Sequence, residues 1–173
     1  MKRQIRKNTF ETNSSSTHAI CISKEEVPKR DIPPFVRFNH GEFGWECYRH
    51  DTISKRASYL YQAICDLCYY DSKKKSEYID SLRSVLSKYK VECEFEGEFE
   101  SGENNPNEWE NGYIDHSEET SEFVDSVMDS EDLLIKYLFG NSVIITGNDN
   151  DDSFGEVMAD SDFKNYQIFY KGN

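Results

Sequence analysis

Between residues 91 and 132 the chain has no Lys or Arg, although sixteen Asp and Glu fall in that stretch. Ion pairing between sequence neighbours is excluded there, and repulsion among the charges works against a compact state. Residues 1–90 hold 17 basic and 11 acidic side chains, net +6, and residues 91–173 hold 3 and 22, net −19, which together give the overall −13. Also missing are a run of about 18 apolar residues and an apolar secretory stretch at the N-terminus, so neither membrane insertion nor export is indicated. The expectation is a soluble, cytoplasmic protein. The five cysteines (Cys21, Cys47, Cys65, Cys68, Cys93) are odd in number and form no small-domain framework, which argues for reduced thiols. There is no Gly-x-Ser-x-Gly elbow, no Gly-x-x-x-x-Gly-Lys-Ser/Thr loop and no Gly-x-Gly-x-x-Gly. The ordinary hydrolase, P-loop and dinucleotide signatures are thus absent, and no cofactor is called for.

What is present suffices for one compact domain: 173 residues, 36% hydrophobic and 14% aromatic, enough to bury a core. Ile53, Ala57, Leu60, Tyr61, Ile64, Leu67 and Cys68 recur at helical spacing after a possible N-cap at Asp51 or Thr52. A second stripe, Tyr78, Ile79, Leu82, Val85, Leu86 and Tyr89, predicts a helix over about 74–88, and the two would pack as a helical hairpin. Strands are expected at 3–6 and 19–23, as a hairpin with a long connection, and at 35–38, 142–146 and 166–170. Residues 24–34, with Pro28, Pro33 and Pro34, read as an extended connector, and residues 101–111 as a loop. Shorter helices are expected from Ser117 and over 133–139, with Gly140 as a stop. Helices inserted without regular alternation among strands predict an α+β fold, a single domain over 1–173 with a mainly antiparallel sheet packed against the helical hairpin and an acidic half from about residue 91. In that half, residues 91–100 alternate strictly, placing Glu92, Glu94, Glu96, Glu98 and Glu100 on one strand face and Val91, Cys93, Phe95 and Phe99 on the other.

Residues 10–18, Phe-Glu-Thr-Asn-Ser-Ser-Ser-Thr-His, stand between a basic N-terminus and the apolar run 19–22. Seven hydrogen-bonding side chains in a row, Glu11 to Thr17, cannot all be buried unpartnered, because each such group costs roughly 1–3 kcal/mol. The string is a polar turn entering a strand, with His18 at the strand edge, or a functional loop. Should it meet residues 41–46, 113–116 and 138–150, a pocket would collect Glu11, Asn13, Ser14, Glu42, Asp149 and Asn150 around Ser15, Ser16, His18, Asp115 and His116. His with a carboxylate can serve as a general base, and Ser beside His is a minimal activated nucleophile. His18, Asp115 and His116 are also acceptable zinc ligands, while Asp149, Asp151 and Asp152 offer hard oxygens without the spacing of a calcium loop. Cys65-Asp66-Leu67-Cys68 lies within the first helix without a second pair, so it reads as two core thiols expected against the second helix and free of metal.

On residues 10–18, and more weakly on 41–46, 113–116 and 138–150, the chain resembles small proteins of bacteriophages and mobile elements in Gram-positive gut bacteria. The resemblance implies a task directed at host machinery and brings no catalytic residues. By analogy it suggests a type II-A anti-CRISPR protein. Together with the charge division it favours an interaction protein over an enzyme: an inhibitor whose acidic face imitates nucleic acid and occupies a basic channel, such as that of Cas9 with its guide RNA. Alternate strand glutamates are about 6.7 Å apart, against about 3.4 Å between phosphates along a DNA strand. The alternative is a small enzyme or metal-binding protein built on the Ser/His/Asp pocket. Direct nucleic-acid binding through Lys2, Arg3, Arg6 and Lys7 fits poorly with a net-negative chain.

Overall fold

A computed structural model of the chain describes residues 16–44, 46–97, 112–148, 152–160 and 162–171. The α+β expectation is met by a four-stranded antiparallel sheet with helices on both faces. Strand β1 (Ser16–Ser23) is central, paired on one side with β7 (Val143–Asn148) and on the other with β8 (Tyr166–Lys171), while β4 (Tyr48–His50) completes the order β4-β7-β1-β8. Two small parallel ladders lie outside it: β2 (Phe35–Phe38) with β5 (Glu92–Phe95), and β3 (Glu42–Phe43) with β6 (Tyr113–Ile114).

The period of two along β1 sorts its side chains. Ile20 and Ile22 face a layer made by α1 (Ile53–Leu67), α3 (Ser121–Asp129) and α4 (Glu131–Phe139), where Leu60, Ile64, Phe123, Val127 and Leu138 are buried. Ala19 and Cys21 face the other way, onto Phe154, Val157 and Met158 of α5 (Asp152–Asp160). A strand covered on both faces reads as a continuous apolar run, which 19–22 does.

Helix α1 is opened by Thr52, whose side chain accepts from the Lys55 amide, and α2 (Ser72–Lys88) by Asp71, which accepts from the Lys74 amide. A tight turn joins the two, Asp71 N–H donating to Cys68 O at 2.9 Å. Arg56 is 3% exposed and anchors α1 to the sheet entrance. Its guanidinium donates to the carbonyls of Leu138 (2.9 Å), Gly140 (3.1 Å), Ser142 (2.6 Å) and Asp51. These include carbonyls that the end of α4 leaves without helical partners.

Several expectations are corrected. Residues 3–6 lie outside the described residues, and β1 takes its partners from the C-terminal third of the chain rather than from a preceding hairpin strand. His18 is the third residue of a central strand, not an edge position. The strands β3, β4 and β6 and the helix α5 are not expected from the sequence. The three strands are too short to carry a periodic signal, and the apolar triplet of α5 is diluted by acids and Gly155.

Candidate functional site

Where the described parts of the four patches meet, the groups are mostly spent on one another. His18 is fully buried, with Nε2 3.0 Å from Gly44 O and Nδ1 2.9 Å from Tyr59 Oη. A carbonyl only accepts, so Nε2 carries the proton and Nδ1 accepts from the Tyr59 hydroxyl. Burial pushes the His18 pKa down to about 3, and the Tyr59 phenol is pushed upward by the same cause. A neutral imidazole with both nitrogens engaged is a structural cross-brace from β1 to α1.

Two residues earlier, Ser16 N–H donates to Asp115 Oδ2 at 3.3 Å and Ser16 Oγ to the Asp115 carbonyl at 3.3 Å. Lys171, at the end of β8, donates from Nζ to Ser16 O at 2.6 Å and to Ser16 Oγ. Ser16 and Lys171 are both fully buried, and burial lowers the Lys171 pKa while Asp115, Glu119 and Glu118 oppose that shift. Among the described residues no hydrogen bond joins Ser16 to His18, so the pairing expected for an activated nucleophile is replaced by a lysine contact that no substrate can reach. His116 adopts a left-handed backbone conformation (φ 52°) and turns a half-exposed ring outward, its Nδ1 3.9 Å from Asp115 Oδ2. Glu42 is exposed on β3, beside a shallow hollow of about 200 Å³ formed with Glu46, Tyr48 and His50. Glu11, Asn13, Ser14, Ser15, Asn150, Asp149 and Asp151 lie outside the described residues. Among the described residues no group of three or more His, Cys, Asp or Glu is placed to hold a metal ion.

The acidic row on 92–100 is corrected in its charge. In the β2–β5 register Arg37 stands opposite Glu94 and binds its carboxylate. Glu96 Oε2 accepts from His40 N–H at 2.8 Å, Glu92 is exposed, and Glu98 and Glu100 lie outside the described residues. Further along, Lys88 pairs with Glu131 (2.5 Å) and Lys136 with Asp132 (2.9 Å). Arg37 and Lys88 therefore reach acids far along the chain, and Lys136 reaches back one helical turn to Asp132 at the end of the stretch that holds no base. Unpaired acids gather elsewhere. The 3-10 turn Ser117–Thr120 and α3 bury Phe123, Val124 and Val127 and expose Glu118, Glu119, Glu122, Asp125 and Asp129. Asp125 accepts from Tyr78 Oη at 2.8 Å; the other four make no ion pair among the described residues.

A cleft of about 420 Å³ opens between the C-terminal half of α1, the α1–α2 turn and β6. Gln62 shapes its floor: Oε1 accepts from His40 Nδ1 (2.9 Å) and Gly41 N–H (3.3 Å), while Nε2 donates to Asp66 Oδ1 (2.7 Å) and Gly112 O (3.1 Å). Gly112 is required there, because with φ +113° a Cβ would lie 2.5 Å from Gly41 O. Asp66 Oδ2 accepts from Ile114 N–H at 2.8 Å, and burial raises the Asp66 carboxyl above its ordinary range despite that bond. Cys65 and Cys68 are buried in the same wall, with the Cys65 pKa pushed up to about 11 by burial, so they are inert thiols at neutral pH. An i, i+4 polar pair, Gln62 and Asp66, inside the otherwise apolar C-terminal half of α1 was the sequence signal for this cleft. Compared with protein-family models, with curated proteins and with solved structures, the chain matches none. Among the described residues no helix is long and apolar enough to cross a membrane.

Proposed function

We propose that the chain is an inhibitory interaction protein of phage or mobile-element origin, whose acidic ridge on residues 117–129 enters a basic nucleic-acid-binding channel of a host enzyme, a Cas9-type effector being the target to test first. The observation that carries this reading is the run Glu118, Glu122, Asp125 and Asp129, exposed in steps of three or four residues along one helical face. At a rise of about 1.5 Å per residue these acids recur every 4.5–6 Å or so, closer to phosphate spacing than alternate strand residues come. Helix stability accounts for Glu118, Glu119 and Glu122, which stand near a helix N-terminus. Asp129, in the last turn of α3, directly precedes Ser130, the N-cap of α4, so it too stands near a helix N-terminus.

The test is inhibition of DNA cleavage by a Cas9-type nuclease at two salt concentrations. The proteins compared are the unmodified chain, a ridge variant (Glu118→Gln, Glu119→Gln, Glu122→Gln, Asp129→Asn) and a strand variant (Glu92→Gln, Glu94→Gln, Glu96→Gln). The expected result is inhibition that weakens as salt rises and an association rate lowered mainly by the ridge variant. Equal potency of all three proteins at both salts overturns the acidic mechanism, and no binding to the nuclease overturns the target.

A further inference from the structure

We propose that the cleft between α1 and β6 is a binding site for an organic cation, a guanidinium or alkylammonium group held between tyrosine rings and the Asp66 carboxylate. The inference does not depend on the acidic ridge. Its first support is the state of Asp66. Both of its oxygens accept hydrogen bonds from neutral donors, Gln62 Nε2 and Ile114 N–H, yet among the described residues it has no ion pair. A carboxylate offers about four lone-pair sites, so half of its accepting capacity remains for a ligand. Its second support is the wall. Tyr69 and Tyr70 are 46% and 96% exposed, set edge to face with ring centroids 4.6 Å apart, and Tyr61 and Tyr113 line the same space. Ring faces carry negative potential and attract cations, with quaternary and alkylated ammonium groups taken up in such aromatic cages. The volume lies within the roughly 300–1,000 Å³ of small-molecule sites.

The third support is a cation already placed there by the chain itself. Lys75 Nζ lies 5.9 Å from the Tyr61 ring centroid, at the limit of cation–π contact, and lines the cleft without an ion pair among the described residues. Its ammonium shows where a positive group sits, and its own charge competes with a ligand's. The sign of that competition separates this reading from the opposite one, an anion such as a nucleoside monophosphate bound by Lys75. Removing the Lys75 charge strengthens the binding of a cation and abolishes that of an anion.

The experiment titrates the full chain with agmatine, an arginine-containing peptide, the same peptide with citrulline in place of arginine, and AMP, following tyrosine ring signals by NMR and heat by calorimetry. Agmatine and the arginine peptide are expected to bind and the citrulline peptide to bind more weakly by about tenfold or more, the worth of a hydrogen bond to a charged group. Tighter binding of agmatine than of the peptide assigns the site to a free metabolite, and the reverse assigns it to a side chain of a basic partner. Lys75→Gln should tighten agmatine binding severalfold and Asp66→Asn should weaken it, with the circular dichroism melt confirming that each variant is folded. Tyr70→Ser, at an almost fully exposed position that cannot unfold the chain, should weaken it too. The ridge variant should bind agmatine as the unmodified chain does, so failure of the inhibitor reading leaves this result intact. Equal affinity for the arginine and citrulline peptides, no binding of any cation, or binding of AMP that Lys75→Gln abolishes would each overturn the assignment.

Discussion

One helix carries two kinds of polar group. In the N-terminal half of α1, Arg56 and Tyr59 point into dry surroundings where every donor meets a carbonyl or an imidazole. In the C-terminal half, Gln62 and Asp66 border an open cleft, and the carboxylate there makes no ion pair among the described residues, Lys75 and His40 acting on it only from a distance. The difference teaches that a polar residue points to function only when some of its bonding capacity is left over. The first pair holds the molecule together, and the second is available to something else.

Breaking the closed half should produce the largest effects. Arg56→Met removes the donors to the carbonyls of Leu138, Gly140, Ser142 and Asp51 and leaves several of them buried and unsatisfied. A loss of about 3–5 kcal/mol is expected in urea unfolding. His18→Ala deletes a buried and a part-buried hydrogen bond and opens a void beside Tyr59, and should cost about 2–4 kcal/mol by the same measurement.

Acid sharpens the comparison. Unfolded His18 takes up a proton near pH 6.5, whereas folded His18 stays neutral down to about pH 3. The unfolded state therefore binds more protons in that window, and stability falls as pH falls through it, by up to about 1.4 kcal/mol per pH unit. His50, whose pKa is also lowered by burial, adds to the same slope. His18→Gln should flatten the dependence of Tm on pH between 6 and 4, and an unchanged slope would show that His18 is not its source. In the open half Asp66 behaves oppositely. With its folded pKa raised, the folded state holds the proton more tightly, so its contribution to stability falls as pH rises through the carboxylate range. Asp66→Asn should then leave stability at pH 7 within about 1 kcal/mol of the original, or slightly above it. The smallest effect belongs to the ridge variant, whose four exposed positions should move Tm by less than the equivalent of about 0.5 kcal/mol.

The sequence made the helices and the buried strands legible for separate reasons. Helices α1 and α2 announce themselves because a 3.6-residue stripe and a capping residue are local, and β1, β7 and β8 because apolar runs need no partner to be recognised. Pairing is not local. Nothing in residues 16–23 says that they lie between 143–148 and 166–171, and hence nothing says that Lys171 meets Ser16 or that Arg37 neutralises Glu94. The parity of β1 did carry a clue: His18 shares the face of Ile20 and Ile22, which points it inward. The polar string was legible as polar, and reading it as a functional loop required an exposure at Ser16 and His18 that a central strand does not allow.

That central position has a consequence for the newly made chain. Strand β1 leaves the ribosome before both of its neighbours, which lie beyond residue 142, so at least 120 further residues (23 to 143) must be added before its first partner begins. At about 5–20 residues per second that is a wait of about 6–24 s. Throughout it the run Ala19-Ile20-Cys21-Ile22 has none of the sheet that later buries it, so a ribosome stalled before residue 143 would present an unpaired, sticky strand to whatever chaperone or aggregate reaches it first.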